Sequence, residues 1–185
     1  MGFGCTLQAA RSRCHSDHEM KAVNTIIVRG YRLSSGASPD DRRFPGGTLR
    51  MQSPCFAAAG FDLERYFGGD FVSGTLNLSV APAVVRLKKP EIFLAGIKWS
   101  PVFPAENFYL SPAGVVHHDT HYRALLYIPD PATKIDHFQA ASMVEVIAQP
   151  IAGIGYDDQI TLRYNPKAIA IEQVEEAAND HAGET

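Results

Sequence analysis

The chain has 185 residues, enough for one domain and marginal for two. Hydrophobic residues make up 45% and charged residues 20%, an ordinary globular mixture, and the formal net charge of −3 gives no reason to expect nucleic acid as a partner. No apolar run approaches the roughly 18 residues that a membrane helix needs, so no membrane partner is expected either.

The two ends differ in composition from the middle. Residues 1–22 are polar and lack the apolar stretch of a secretory signal, and the three cysteines form no Cys-x-x-Cys pair or even-numbered framework. We therefore expect a cytoplasmic protein with a disordered leader over 1–22, one domain over 23–172, and a short helix with an acidic tail over 173–185.

Short strand-like runs separated by turn signals dominate the domain. Residues 47–54 are predicted as a brief strand or turn, and residues 55–67 as an interior helix whose second half is capped by Asp62. The close spacing and two-sided patterns predict a mainly β fold, either a small closed barrel or a β-sandwich. The predicted strands are 24–33, 75–81, 91–99, 107–117, 122–129, 143–151, 159–165 and 168–172.

The strand that begins after Gly74 places small polar residues on one face. Thr75 and Asn77 alternate with Leu76 and Leu78, so their oxygens share a side of the strand, and a glycine before them permits close approach of a ligand. Neutral oxygens suit a magnesium ion that also binds phosphates and water. Ordinary turn and strand chemistry explains the same residues without a ligand.

Two segments resemble a known family. The Gly74-Thr75-Leu76-Asn77-Leu78 stretch, and later MVEVIAQPIAGIGYDDQITLRY over 143–164, resemble segments of the archaeal-type, CTP-dependent riboflavin kinases and occur in the same order. The resemblance implies a six-stranded cradle-loop β-barrel with one or two short helices. It also implies that Thr75 and Asn77 hold Mg²⁺ between the phosphates of a nucleotide, with Gly74 allowing close approach.

The reaction implied by the resemblance transfers a phosphoryl group from CTP or a similar nucleotide to a small alcohol such as riboflavin. No protein partner is evident. The family has a compact glycine-rich phosphate loop where this chain has SSGASPDDRRFPGG, followed by Thr48. Gly46, Gly47 and Thr48 are the candidates for offering backbone N–H groups to phosphate. Because this loop is longer than the family's, a diverged barrel that binds a small anionic ligand without catalysis is the alternative.

Further candidates follow in the second half of the chain. The proline-rich segment 127–139 delivers Lys134, His137 and Gln139 either to a phosphate or carboxylate site or to solvent as an ordinary surface loop. Glu145 alternates with Val144 and Val146, which makes it a general-base candidate if its face lines the site.

The pentapeptide His117-His118-Asp119-Thr120-His121 has a spacing that suits metal ligands on an extended strand. It lies between two strand-like runs, however, and a polar hairpin turn explains it equally directly.

Overall fold

The computed structural model describes residues 19–30, 47–136 and 138–174. Within these ranges the chain forms nine strands and two short helices. The elements are β1 (Lys21–Val28), α1 (Thr48–Ala58), α2 (Leu63–Phe67), β2 (Leu76–Ser79), β3 (Val84–Leu87), β4 (Ile92–Ile97), β5 (Glu106–His117), β6 (Thr120–Pro129), β7 (Met143–Ala148), β8 (Gln159–Tyr164) and β9 (Ile169–Glu172). None of the helices found in the described part of the chain has the length and apolar character needed to cross a membrane.

Six of the strands close into an antiparallel barrel, as the sequence predicts. The order is β5-β6-β7-β2-β1-β8, and β8 returns to β5 through the pairs from Ala113↔Tyr164 to Val116↔Thr161. Strand β5 is long enough to have two partners along one edge. Its first half pairs with β4 and its second half with β8. Strands β3 and β9 form a separate two-stranded ribbon.

The barrel wall separates two apolar cores because side chains alternate along each strand. Leu126 of β6 and Val146 of β7 point into the barrel, together with Leu78 of β2. Their neighbours Leu125 and Ile147 point outward, and helices α1 and α2 cover them. The predicted alternation of β7 is confirmed, and it places Glu145 on the outer face with Ile147.

The prediction for residues 47–54 is wrong, because this segment is the first part of α1. Leu49, Gln52 and Phe56 recur at helical spacing and are all buried, so packing onto the outer core outweighs the local turn signal. Pro54 lies inside the helix. The second half of the predicted helix does occur as α2, where the Asp62 side chain accepts a hydrogen bond from Arg65 N at 3.2 Å.

Two other boundaries differ from the sequence expectations. Strand β1 begins at Lys21, inside the segment assigned to the leader, and Lys21 pairs with Tyr164. Strand β3 was not predicted, and it is a short edge element paired only with β9 in the described chain. The leader as far as residue 18, the tail from residue 175, and the predicted site residues Gly46 and His137 lie outside the described residues.

Candidate functional site

A polar row crosses the outer face of the barrel on three neighbouring strands. Asn77 of β2 lies directly opposite Glu145 of β7. The pairing of β6 with β7, extended by one step beyond Leu126↔Val146, places Tyr127 opposite Glu145 on its other side. Tyr127, Glu145 and Asn77 therefore form the polar row. On the same face Leu125 and Ile147 flank it on β6 and β7, whereas Thr75 and Ser79 flank Asn77 along β2.

The connection between β6 and β7 brings Gln139 to this row. Gln139 Nε2 donates to Glu145 Oε1 at 2.5 Å and makes a longer contact of 3.4 Å with Asn77 Oδ1. One amide therefore links two residues that are 68 positions apart in the chain but adjacent in the sheet. The arrangement joins Asn77 and Glu145, which the sequence analysis had assigned to different roles.

The start of the same connection is held by a second set of hydrogen bonds. Asp130 N donates to Asn107 O at 2.9 Å, and Asn107 Nδ2 donates to the Asp130 carboxylate at 3.1 Å. Asn107 N donates in turn to Thr133 Oγ1 at 2.9 Å, and Lys134 N donates to Asp130 O at 3.0 Å. These bonds fix the backbone that carries Lys134.

Burial shifts the ionisation of the carboxyl groups near the row. Desolvation raises the pKa of Glu145, while attraction to Lys134 and the hydrogen bond from Gln139 partly offset that rise. Burial likewise raises the pKa of Glu106, and there the offsetting effects are the hydrogen bond from Trp99 Nε1, 2.9 Å long, and attraction to Lys134. Lys134 is therefore the cation shared by two carboxyl groups whose protons are held more tightly than usual.

Helix α1 contributes a side chain to the row from above. The Tyr127 hydroxyl donates to Gln52 Oε1 at 2.8 Å, and both residues are buried. Desolvation, with repulsion from Glu145, raises the pKa of Tyr127, so this phenol stays protonated. Sequence reasoning missed Gln52, because it assigned residues 47–54 to a strand or turn. The available signal was a glutamine on the buried stripe formed by Leu49 and Phe56.

The remaining predicted residues in the described chain lie just before β2 and at the start of α1. Thr75 is half-buried and immediately precedes β2, while the N–H of buried Gly74 donates to Val72 O at 2.8 Å. Gly47, with φ of 90°, precedes α1, whose first turn has no side-chain cap. Thr48 is buried one helical turn before Gln52, on the same face of α1.

Asn77 is held by close packing as well as by the sheet. The backbone at Gly30, just beyond β1, approaches its side chain so closely that a Cβ atom there would collide with the amide. A side chain at position 30 would therefore force the Asn77 amide to move. The packing fixes the direction of the Asn77 amide along the row.

The histidine-rich pentapeptide is a hairpin turn. It joins β5 to β6, His117 pairs with Thr120, and both His118 and Asp119 have positive φ, as in a two-residue hairpin. Its residues do not lie on one extended strand, so the metal-ligand interpretation is wrong. Within the described ranges, no group of three or more His, Cys, Asp or Glu residues is placed to hold a metal ion.

The row nevertheless carries donors that suit a hard cation. Asn77 Oδ1 is a neutral oxygen opposite the Glu145 carboxylate, and Mg²⁺ prefers oxygen ligands while keeping several positions for water or phosphate. An ion bound here would take most of its coordination from water and from the phosphates of a bound nucleotide. The residues present fit magnesium in that limited sense. No protein-family model and no curated protein matches the chain.

Proposed function

We propose that this protein is a magnesium-dependent phosphotransferase that moves a phosphoryl group from CTP or a similar nucleotide to a small alcohol such as riboflavin. The observation that carries the proposal is the hydrogen-bonded group of Asn77, Gln139 and Glu145. This group supplies the neutral oxygen of Asn77 on β2 and the Glu145 carboxyl group, whose pKa is raised, on β7. Both strands lie in segments whose sequence resembles the riboflavin kinases. A carboxylate with a raised pKa is a better proton acceptor, which is what a general base requires.

The chemistry assigns one role to each residue. Glu145 accepts the proton of the alcohol, the alcohol oxygen forms a bond to the terminal phosphorus, and the bond from that phosphorus to the bridging oxygen breaks to release the nucleoside diphosphate. Asn77, with Thr75 before it, would hold Mg²⁺, which neutralises charge on the phosphoryl group. Lys134 lies near enough to Glu145 to affect its pKa and would meet the phosphate oxygens.

The second half of the nucleotide site rests on helix α1. Gly47 and Thr48 stand at its uncapped first turn, where free backbone N–H groups favour an anion. Thr48 lies one turn before Gln52 on α1, and the Gln52 side chain accepts from Tyr127 of the row, which supports this proposal. Gly46 and His137 remain predicted phosphate contacts.

The direct test is to incubate the protein with Mg²⁺, CTP or ATP, and riboflavin, and to measure FMN by chromatography. Thermal shift with millimolar nucleotide and Mg²⁺ supplies an independent measure of binding. We expect a higher melting temperature and FMN formation, both reduced in Asn77→Ala and retained in Asn24→Ala, an exposed asparagine on β1. If no nucleotide changes the melting temperature at that concentration, the proposal is wrong.

One observation favours a second function, binding of a small anion without catalysis. Asn77 Oδ1 already accepts from Gln139 and its amide is packed against Gly30, so a metal ion would have to share this oxygen with an existing contact. Native mass spectrometry of the purified protein separates the two functions. A co-purified flavin nucleotide favours the phosphotransferase, and an unrelated anionic metabolite favours the binding protein.

A further inference from the structure

A buried amide in the site lacks part of its hydrogen bonding. Gln52 is only 2% exposed, and its Oε1 accepts from Tyr127. Its Nε2 has no hydrogen-bond partner in the part of the chain that the structure describes. Because a buried N–H without a partner is costly, most buried polar groups in folded proteins are paired, and an exception within a proposed site is a candidate contact for a ligand.

The position of that amide relates it to the proposed chemistry. The bond to Tyr127 holds the end of Gln52 over one end of the polar row, and Glu145 is the next residue along the row. Asn77, at 8% exposure, shows the same incomplete bonding at the other end, since its Nδ2 also lacks a partner among the described residues. Donors therefore stand on both sides of the proposed base.

We propose that Gln52 is a specificity-determining residue that donates from Nε2 to a hydrogen-bond acceptor of the alcohol substrate, next to the hydroxyl group that meets Glu145. The inference rests on the proposed function and extends it to the acceptor side of the site. The substrate then carries an uncharged oxygen or nitrogen lone pair beside its reacting hydroxyl. An alcohol without that atom would leave the amide unpaired and bind more weakly.

Tyr127 is the positioning residue for this contact. Its hydroxyl is the only hydrogen-bond partner that the described chain provides for Gln52, and it selects which end of the amide faces the row. In the structure the Tyr127 hydroxyl donates and Gln52 Oε1 accepts at 2.8 Å. The nitrogen is left for the substrate.

The test compares wild-type protein with Gln52→Leu/Tyr127→Phe, in which both members of the buried pair become apolar groups of similar shape. Replacing both partners avoids leaving either one buried alone, so we expect the unliganded variant to melt no lower than wild type. Riboflavin affinity, measured by flavin fluorescence, should fall by about tenfold or more, because the substrate loses one hydrogen bond when the Gln52 donor is removed. The thermal shift produced by CTP with Mg²⁺ should be unchanged, and Gln159→Leu, an exposed glutamine on β8, should bind both ligands normally.

The riboflavin affinity decides the outcome. A value within twofold of wild type overturns the role of Gln52, and so does equal loss of riboflavin and nucleotide binding, which indicates general damage to the site. Wild-type protein that binds the nucleotide but no riboflavin overturns this inference and leaves the nucleotide half of the proposed function standing. Wild-type protein that binds neither ligand removes the proposed function and the inference together.

Discussion

The two cores on either side of the barrel wall have the same apolar character but different polar content. The interior core around Leu78, Leu126 and Val146 is mainly aliphatic, and the buried Thr25 on the same side of the wall donates to Ile160 O at 3.0 Å. The outer core beneath α1 is interrupted by the polar row and by Gln52. The buried hydroxyl of the interior is bonded within the sheet, whereas amides of the outer face have incomplete hydrogen bonding, which is a feature of ligand sites. This contrast supports the proposed placement of the site on the outer face of the barrel.

The largest expected effect is on activity, from Glu145→Gln. Glutamine keeps the size of the side chain but cannot accept a proton, so phosphoryl transfer should fall by about 10²- to 10⁴-fold. Single-turnover FMN formation measures the change, and Glu64→Gln on the exposed side of α2 is the matched control. The melting temperature should not fall, since a neutral amide avoids the cost of a desolvated charge. A rate within threefold of wild type would contradict the role of Glu145.

The next effect is on stability and falls on the interior core. Leu126 is fully buried, so Leu126→Ala should lower the free energy of unfolding by about 2–5 kcal/mol. Leu87→Ala makes the same chemical change at a side chain that is 40% exposed and should cost distinctly less. Urea denaturation compares the two. Equal losses would mean that the barrel interior is not the stabilising core.

A smaller effect on stability is expected at helix α2, which covers the outer core. Asp62→Ala removes the carboxylate that accepts from Arg65 N at the start of α2 and should cost about 1 kcal/mol. Asp62→Asn retains a capping oxygen and should remain close to wild type. Thermal unfolding of the two variants gives the difference, and identical melting temperatures would show that the cap does not stabilise the helix.

The smallest effect is a pH dependence specific to the outer face. Because the pKa of Glu145 is raised, the folded protein binds this proton at pH values where the unfolded chain has released it, so stability falls as the pH rises through that window. Glu145→Gln removes this contribution, and wild type should lose stability relative to the variant between the usual glutamate pKa and the raised one. Denaturation at a series of pH values checks the slope. A difference that does not vary with pH would contradict it.

Much of the fold could be predicted from local patterns. The alternation in β2 and β7, and the Asp62 cap, depend on neighbouring residues and were read correctly. Residues 47–54 were misread because their helix is stabilised by packing of Leu49 and Phe56 onto the sheet rather than by local propensity. The ribbon strand β3 was missed: it has four residues, half of them exposed, and within the described chain it pairs only with β9.

The sequence by itself determined the strand periodicity, and with it the faces on which Asn77 and Glu145 lie, because the side-chain alternation of a strand is a local property. Only the tertiary structure decided that these residues stand opposite each other, with Gln139 bonded to both and Gln52 above Tyr127. Register between strands that are distant in the chain, and the desolvation that raises the pKa of Glu145, arise from closure of the barrel and from its helical cover. A single strand has neither a register with a partner nor a buried environment.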